Sequence, residues 1–108
     1  MVNKNLVVLV ALSLLAGPAL AAGNAEAGKA KTVVCGACHG ADGNSPAPTF
    51  PKLAGQHESY LLKQMKDIKS GARAVPTMAG QLDAMTEQDM ADIAAFYTKW
   101  LVDVTDSQ

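Results

Sequence analysis

The 108-residue chain is short of the side chains from which most metal and redox sites are assembled, with two cysteines and two histidines in all. A structural zinc site needs four ligands, and outside one short cluster the only further soft ligand is His57. The alternation of strands and helices that would frame a thioredoxin-like dithiol is also missing. So is a long apolar run: Leu6 to Leu15 is cut off by Gly17-Pro18 and is too short to cross a hydrocarbon layer of roughly 30 Å comfortably. The net charge of −1 is small enough to exclude no class of partner.

What is present is concentrated. Both cysteines and one histidine fall in Cys35-Gly36-Ala37-Cys38-His39, and C-x-x-C-H is the pattern of covalent c-type haem attachment. On a helix, residues three apart share a face, so both thiols can reach the two vinyl groups along one porphyrin edge. The imidazole that follows is placed to take the proximal position on iron, a role His commonly fills.

Residues 1–21 read as a secretory signal, with Lys4 in the n-region, Leu6 to Leu15 as the apolar core and Ala19-Leu20-Ala21 as a small-x-small cleavage site. Cleavage after Ala21 is expected, an uncleaved anchor being the lesser alternative. Export suits the chemistry, because free cysteines outside the cytoplasm tend to pair unless captured. Residues 22–108 then form one domain, of a size at which an apolar core is marginal and a staple is usual. A buried porphyrin would be that staple. Basic residues gather at Lys52, Lys63, Lys66, Lys69 and Arg73, and acids dominate from Asp83 to Asp106, which predicts a molecular dipole.

Asn24 is a natural N-cap and Glu26 suits a first turn, so the spacing predicts a helix from Ala25 running toward Cys35. Gly28 in its interior suggests close approach by another helix. The glycines and prolines between Gly40 and Gln56 exclude a long regular element. Phe50 and Leu53 in that loop are expected to pack on the haem edge or under the proximal ligand, whose second ring nitrogen needs a carbonyl acceptor. His57 to Ser70 predicts a second helix with Tyr60, Leu61, Leu62, Met65 and Ile68 on its apolar face, Gly71 as its C′ residue, and His57 at the surface. Gly71 to Met85 is irregular. Thr86-Glu87-Gln88-Asp89 resembles a capping box and opens a last helix with Met90, Ile93, Ala94, Tyr97 and Leu101 inward, broadened by Phe96 and Trp100.

A six-coordinate electron-transfer haem needs a second axial ligand, commonly a Met thioether. Met65 falls on a core stripe, while Met85 and Met90 take the N′ and N4 positions of a hydrophobic staple. Met78, between Pro76 and Gly80, has no such structural task and is the candidate.

Across residues 22–108 the chain resembles a class I c-type cytochrome. Cys-Gly-Ala-Cys-His-Gly-Ala-Asp-Gly-Asn-Ser-Pro-Ala-Pro from Cys35, Phe50-Pro-Lys-Leu-Ala-Gly-Gln, Tyr60-Leu-Leu-Lys-Gln and Asp89-Met-Ala-Asp-Ile-Ala-Ala are similar to one half of the bacterial di-haem cytochromes of the c-four type. The resemblance implies an all-α fold of three to four helices around one haem c. It also implies thioethers at Cys35 and Cys38, axial ligands His39 and Met78, and the Pro51 carbonyl accepting from the His39 ring. Gly28 would let the first helix cross the last at Phe96 or Tyr97. The di-haem relatives carry a second C-x-x-C-H domain and this sequence has one such motif, so a monomeric shuttle and a homodimer with facing haems both stay open.

The expectation is a periplasmic one-electron carrier, not an enzyme, with one covalent haem c per chain. Its partners would be redox proteins, and the resemblance implies a quinol-oxidising complex as donor and a terminal oxidase or reductase as acceptor. No nucleic-acid partner is expected, and no membrane span once the signal is removed. Two alternatives compete: a five-coordinate haem enzyme or gas sensor, should Met78 not ligate, and a haem-free dithiol or metal-binding module.

Overall fold

A computed structural model describes residues 22–99. The expected signal at residues 1–21, and the expected continuation of the last helix to Trp100 and Leu101, lie outside them. The described residues form four helices, α1 (Ala25–Lys31), α2 (Val33–His39), α3 (Glu58–Ser70) and α4 (Glu87–Thr98), with a single 3-10 turn at Pro76–Met78. There is no strand among them, as the all-α reading requires, and no helix long and apolar enough to cross a membrane.

α4 is the central element. Its start is fixed by the capping box: Asp89 N–H donates to Thr86 Oγ1 at 3.0 Å and Thr86 N–H donates to Asp89 Oδ2 at 2.9 Å. Met90 to Tyr97 are then all buried, and a helix covered on every side belongs in the middle of a fold. α1 and α3 pack against it, and Leu61 of α3 joins Ile93, Ala94, Phe96 and Tyr97 in one apolar cluster. Gly71, left-handed at φ 84°, closes α3.

α1 approaches α4 so closely that a Cβ built on Gly28 would stand 1.9 Å from the Asp92 carbonyl oxygen. The crossing therefore falls at Asp92 and Ile93, a turn before the Phe96 or Tyr97 that the resemblance implied. The cause lies in the Asp92 side chain, which draws α1 to this level. It accepts from Asn24 N–H at 2.9 Å, Lys31 Nζ at 2.7 Å and Gln88 Nε2 at 3.0 Å. Lys31 also meets Asp89 at 2.8 Å, so one ammonium ties α1 to two acids of α4.

Two further expectations are corrected, and one is filled in. The first helix does not run through to Cys35: Thr32, at φ −92° and ψ 5°, separates α1 from α2, and its hydroxyl donates to the Lys29 carbonyl at 2.8 Å, a local bond that competes with the helical pattern. Tyr60 is 47% exposed, since it lies about 100° round the helix from buried Leu61. The basic run on α3 is partly neutralised where it stands, because Lys63 pairs with Asp67 and Lys66 with Glu87.

Gly28→Ala should lower stability by about 1–3 kcal/mol through overpacking, outweighing the roughly 1 kcal/mol that Ala gains as a helix former; the denaturant midpoint measures it. The Lys31 ammonium, with the Asn24 and Thr86 amides respectively, holds the Asp92 and Asp89 carboxyls down at about 2. A carboxyl lowered on folding stabilises above its unfolded value of about 4 and loses that contribution as pH falls through the folded value. The thermal midpoint should therefore be level above about pH 5 and fall between about pH 4 and pH 2, and Asp92→Asn should flatten that fall while lowering stability at neutral pH.

Candidate functional site

The site begins on α2, a helix of seven residues that carries both cysteines and ends on His39. Cys35 is half-buried against the cluster around Tyr97, whereas Cys38 is exposed, and neither is in a disulfide. Burial pushes the Cys35 thiol above its ordinary value. The pair stands three residues apart on one short helix, which is the spacing two thioethers along one porphyrin edge require.

His39 is 7% exposed. Its Nδ1 lies 2.8 Å from the Pro51 carbonyl oxygen. A carbonyl cannot donate, so Nδ1 carries the proton and Nε2 is left with a free lone pair. The contact fixes both the tautomer and the ring orientation of a potential iron ligand. The Phe50 ring stands edge-on to the imidazole at 6.4 Å and 66°, beneath the histidine as one of its two expected placements has it, and Leu53 packs on the apolar cluster.

The loop that delivers Pro51 is irregular and firmly tied. Leu53 and Ala54 N–H both donate to the Gly43 carbonyl at 2.9 and 3.2 Å, and Gly55 N–H donates to the Tyr97 carbonyl at 3.0 Å. Thr98 Oγ1 donates to the Gln56 carbonyl at 2.6 Å. Gly43 is buried at φ 82°, and a Cβ there would lie 2.6 Å from Tyr97 Cδ1 and 2.8 Å from Ala54 N. Only glycine combines that backbone with that approach, and the loop crosses α4 at this point.

Met78 belongs to a separate element. It closes the 3-10 turn that Pro76 begins, its N–H donating to the Val75 carbonyl at 2.9 Å, and it is half-buried. Among the described methionines, Met65 and Met85 pack on the apolar cluster and Met90 is buried at 3%. Met78 is not among the residues packed on that cluster. His57 is exposed at the N-cap position of α3. The structure thus brings Cys35, Cys38, His39 and Pro51 together on α2 and the loop behind it, and holds Met78 on a turn between α3 and α4.

This donor set fits a haem: two cysteines three residues apart and outside any disulfide, an imidazole whose Nδ1 proton is committed to Pro51, and a thioether on a turn of its own. Sequence reasoning missed Gly43, Thr32 and Asp92. The flanking Asp42 and Asn44 were a turn signal for the first. An acid set between Met90-Ala91 and Ile93-Ala94 signals an inward carboxylate.

A family model described as Cytochrome c matches residues 25–98. The chain is 64% identical over 95 residues to a cytochrome c4 of Pseudomonas aeruginosa, covering 88% of this chain and 47% of that protein. It is 40% identical over 80 residues to cytochrome c-554(548) of Halomonas halodenitrificans, covering 71% of this chain and 96% of that protein. Its fold is similar to the crystal structure of reduced recombinant cytochrome c4 from Pseudomonas stutzeri, with a TM-score of 0.71 and 57% identity over 73% of this chain and 46% of that one. The chain spans about half the length of the cytochrome c4 relatives it matches.

Proposed function

The chain belongs to the cytochrome c family, whose members carry covalently attached haem c, and from that premise we propose that it is a one-electron carrier. The bound haem supplies a single iron that exchanges one electron between its ferric and ferrous states. Cys35 and Cys38 provide the thioethers, His39 Nε2 the proximal ligand and Met78 the distal one. The observation that carries this reading is the His39 Nδ1 to Pro51 contact of 2.8 Å, which commits the ring proton and aims the remaining lone pair.

Each residue has a task in keeping the electron transfer simple. Pro51 prevents the imidazole from turning or changing tautomer. Two permanent side-chain ligands leave no open coordination position for a substrate, so the protein is a carrier and not an enzyme. Residues 1–21 act as an export signal and residues 22–108 as the haem domain, which places the protein in the periplasm. Its partners are redox proteins meeting it transiently, a quinol-oxidising complex as donor and a terminal oxidase or reductase as acceptor, with the carrier acting as a monomer or a homodimer.

Denaturing electrophoresis of the exported protein with haem staining should leave the stain on the polypeptide, and a colourless protein removes the proposal. Met78→Ala should lower the reduction potential, abolish the sulfur-to-iron absorption of the ferric form and let carbon monoxide bind the ferrous form. Met85→Ala should leave all three nearly unchanged. Reversed behaviour of the two variants would assign the distal ligand to Met85.

A further inference from the structure

The Tyr97 hydroxyl lies in the middle of the molecule on a residue that is 1% exposed, and it completes no hydrogen bond of ordinary geometry. A buried hydroxyl left in that condition is costly and rare. The ring cannot swing away to relieve it. Phe96 stands edge-on at 5.2 Å, the Gly43 backbone closes one side, and the Tyr97 carbonyl is held by Gly55.

Burial holds the Tyr97 hydroxyl's proton on, and Cys35 and Thr32 are the side chains placed to exchange a hydrogen bond with it, Asp42 adding only a longer-range charge. The Thr32 hydroxyl already spends its proton on the Lys29 carbonyl, so it offers lone pairs only. Cys35 packs directly on the cluster to which Tyr97 belongs. As a thiol, Cys35 has a proton of its own. As a thioether it is only an acceptor, and Tyr97 then supplies the proton for the pair.

We propose that in the haem-loaded protein Tyr97 is a positioning residue, its O–H donating to the Cys35 sulfur and so fixing the first thioether. The inference rests on the reading of Cys35 as a haem attachment point. Donation to that sulfur withdraws electron density from the substituted edge of the porphyrin, which favours the reduced state. It also gives the two attachment points different surroundings, one half-buried and hydrogen-bonded, the other exposed.

The test uses the purified haem-bearing protein. The chain has two tyrosines, so Tyr60→Phe leaves Tyr97 as the sole source of the tyrosine doublet in ultraviolet resonance Raman spectra, whose intensity ratio distinguishes a donating hydroxyl. We expect a donor ratio that survives Thr32→Val. Tyr97→Phe should shift the reduction potential to a lower value and displace the thioether carbon–sulfur stretch, two readouts that a merely structural residue would not move. The proposal is overturned by a non-donor ratio, by loss of the donor ratio in Thr32→Val, or by a wild-type potential and stretch in Tyr97→Phe whatever its stability. If Tyr97→Phe does not fold, the Tyr60→Phe and Thr32→Val spectra decide. A chain without covalent haem overturns the carrier reading as well, whereas a haem-bearing Tyr97→Phe protein with wild-type properties overturns this inference alone.

Discussion

The approach of α1 to α4 at Gly28 is the constraint on which the other arrangements depend. It sets the level at which the amino-terminal helix lies, and α2 follows from it after the break at Thr32. The Asp92 carboxylate fixes that level by gathering a backbone amide, an ammonium and a side-chain amide from both helices. Burying a charge without partners is prohibitive, so the acid is tolerable only because the helices meet here. Cys35 then arrives against Tyr97, and the end of α2 carries His39 to the loop that holds Pro51.

That loop shows how an irregular segment can fix the orientation of a side chain on a neighbouring helix. Its backbone is bonded to itself at Gly43 and to α4 at Tyr97, with Thr98 adding a side-chain tie. The imidazole is thereby oriented by groups outside its own helix. A histidine at a helix end would otherwise keep two tautomers and a free ring rotation; here the Pro51 carbonyl selects one proton position and one ring plane. Met78 is placed by a different device, a proline-initiated turn, so the two axial candidates come from elements that are independent of each other.

Much of this was legible because the signals were local. Asn24, the Thr86 to Asp89 box, Gly71 and the apolar spacing of α4 each depend on a few neighbouring residues, and each of these caps and stripes formed where the pattern placed it. The methionine assignments by elimination also rested on helix register, and Met65, Met85 and Met90 took the packing positions expected of them. What was not legible depended on contacts distant in sequence. The shifted helix crossing reflects the reach of Asp92 toward Asn24, and the exposure of Tyr60 reflects which flank of α3 faces α4. Neither can be weighed until both partners are known to be adjacent.

The bond from Asn24 to Asp92 joins residues 68 apart, and that separation has a kinetic meaning. Closing a loop of this length carries an entropic cost of about 4 kcal/mol, and folds dominated by such distant contacts assemble late. Because a chain is made amino terminus first, Cys35 to His39 are available before α4 can dock. Residues 35–39 are thus presented as an open peptide first, and are enclosed only when α4 arrives.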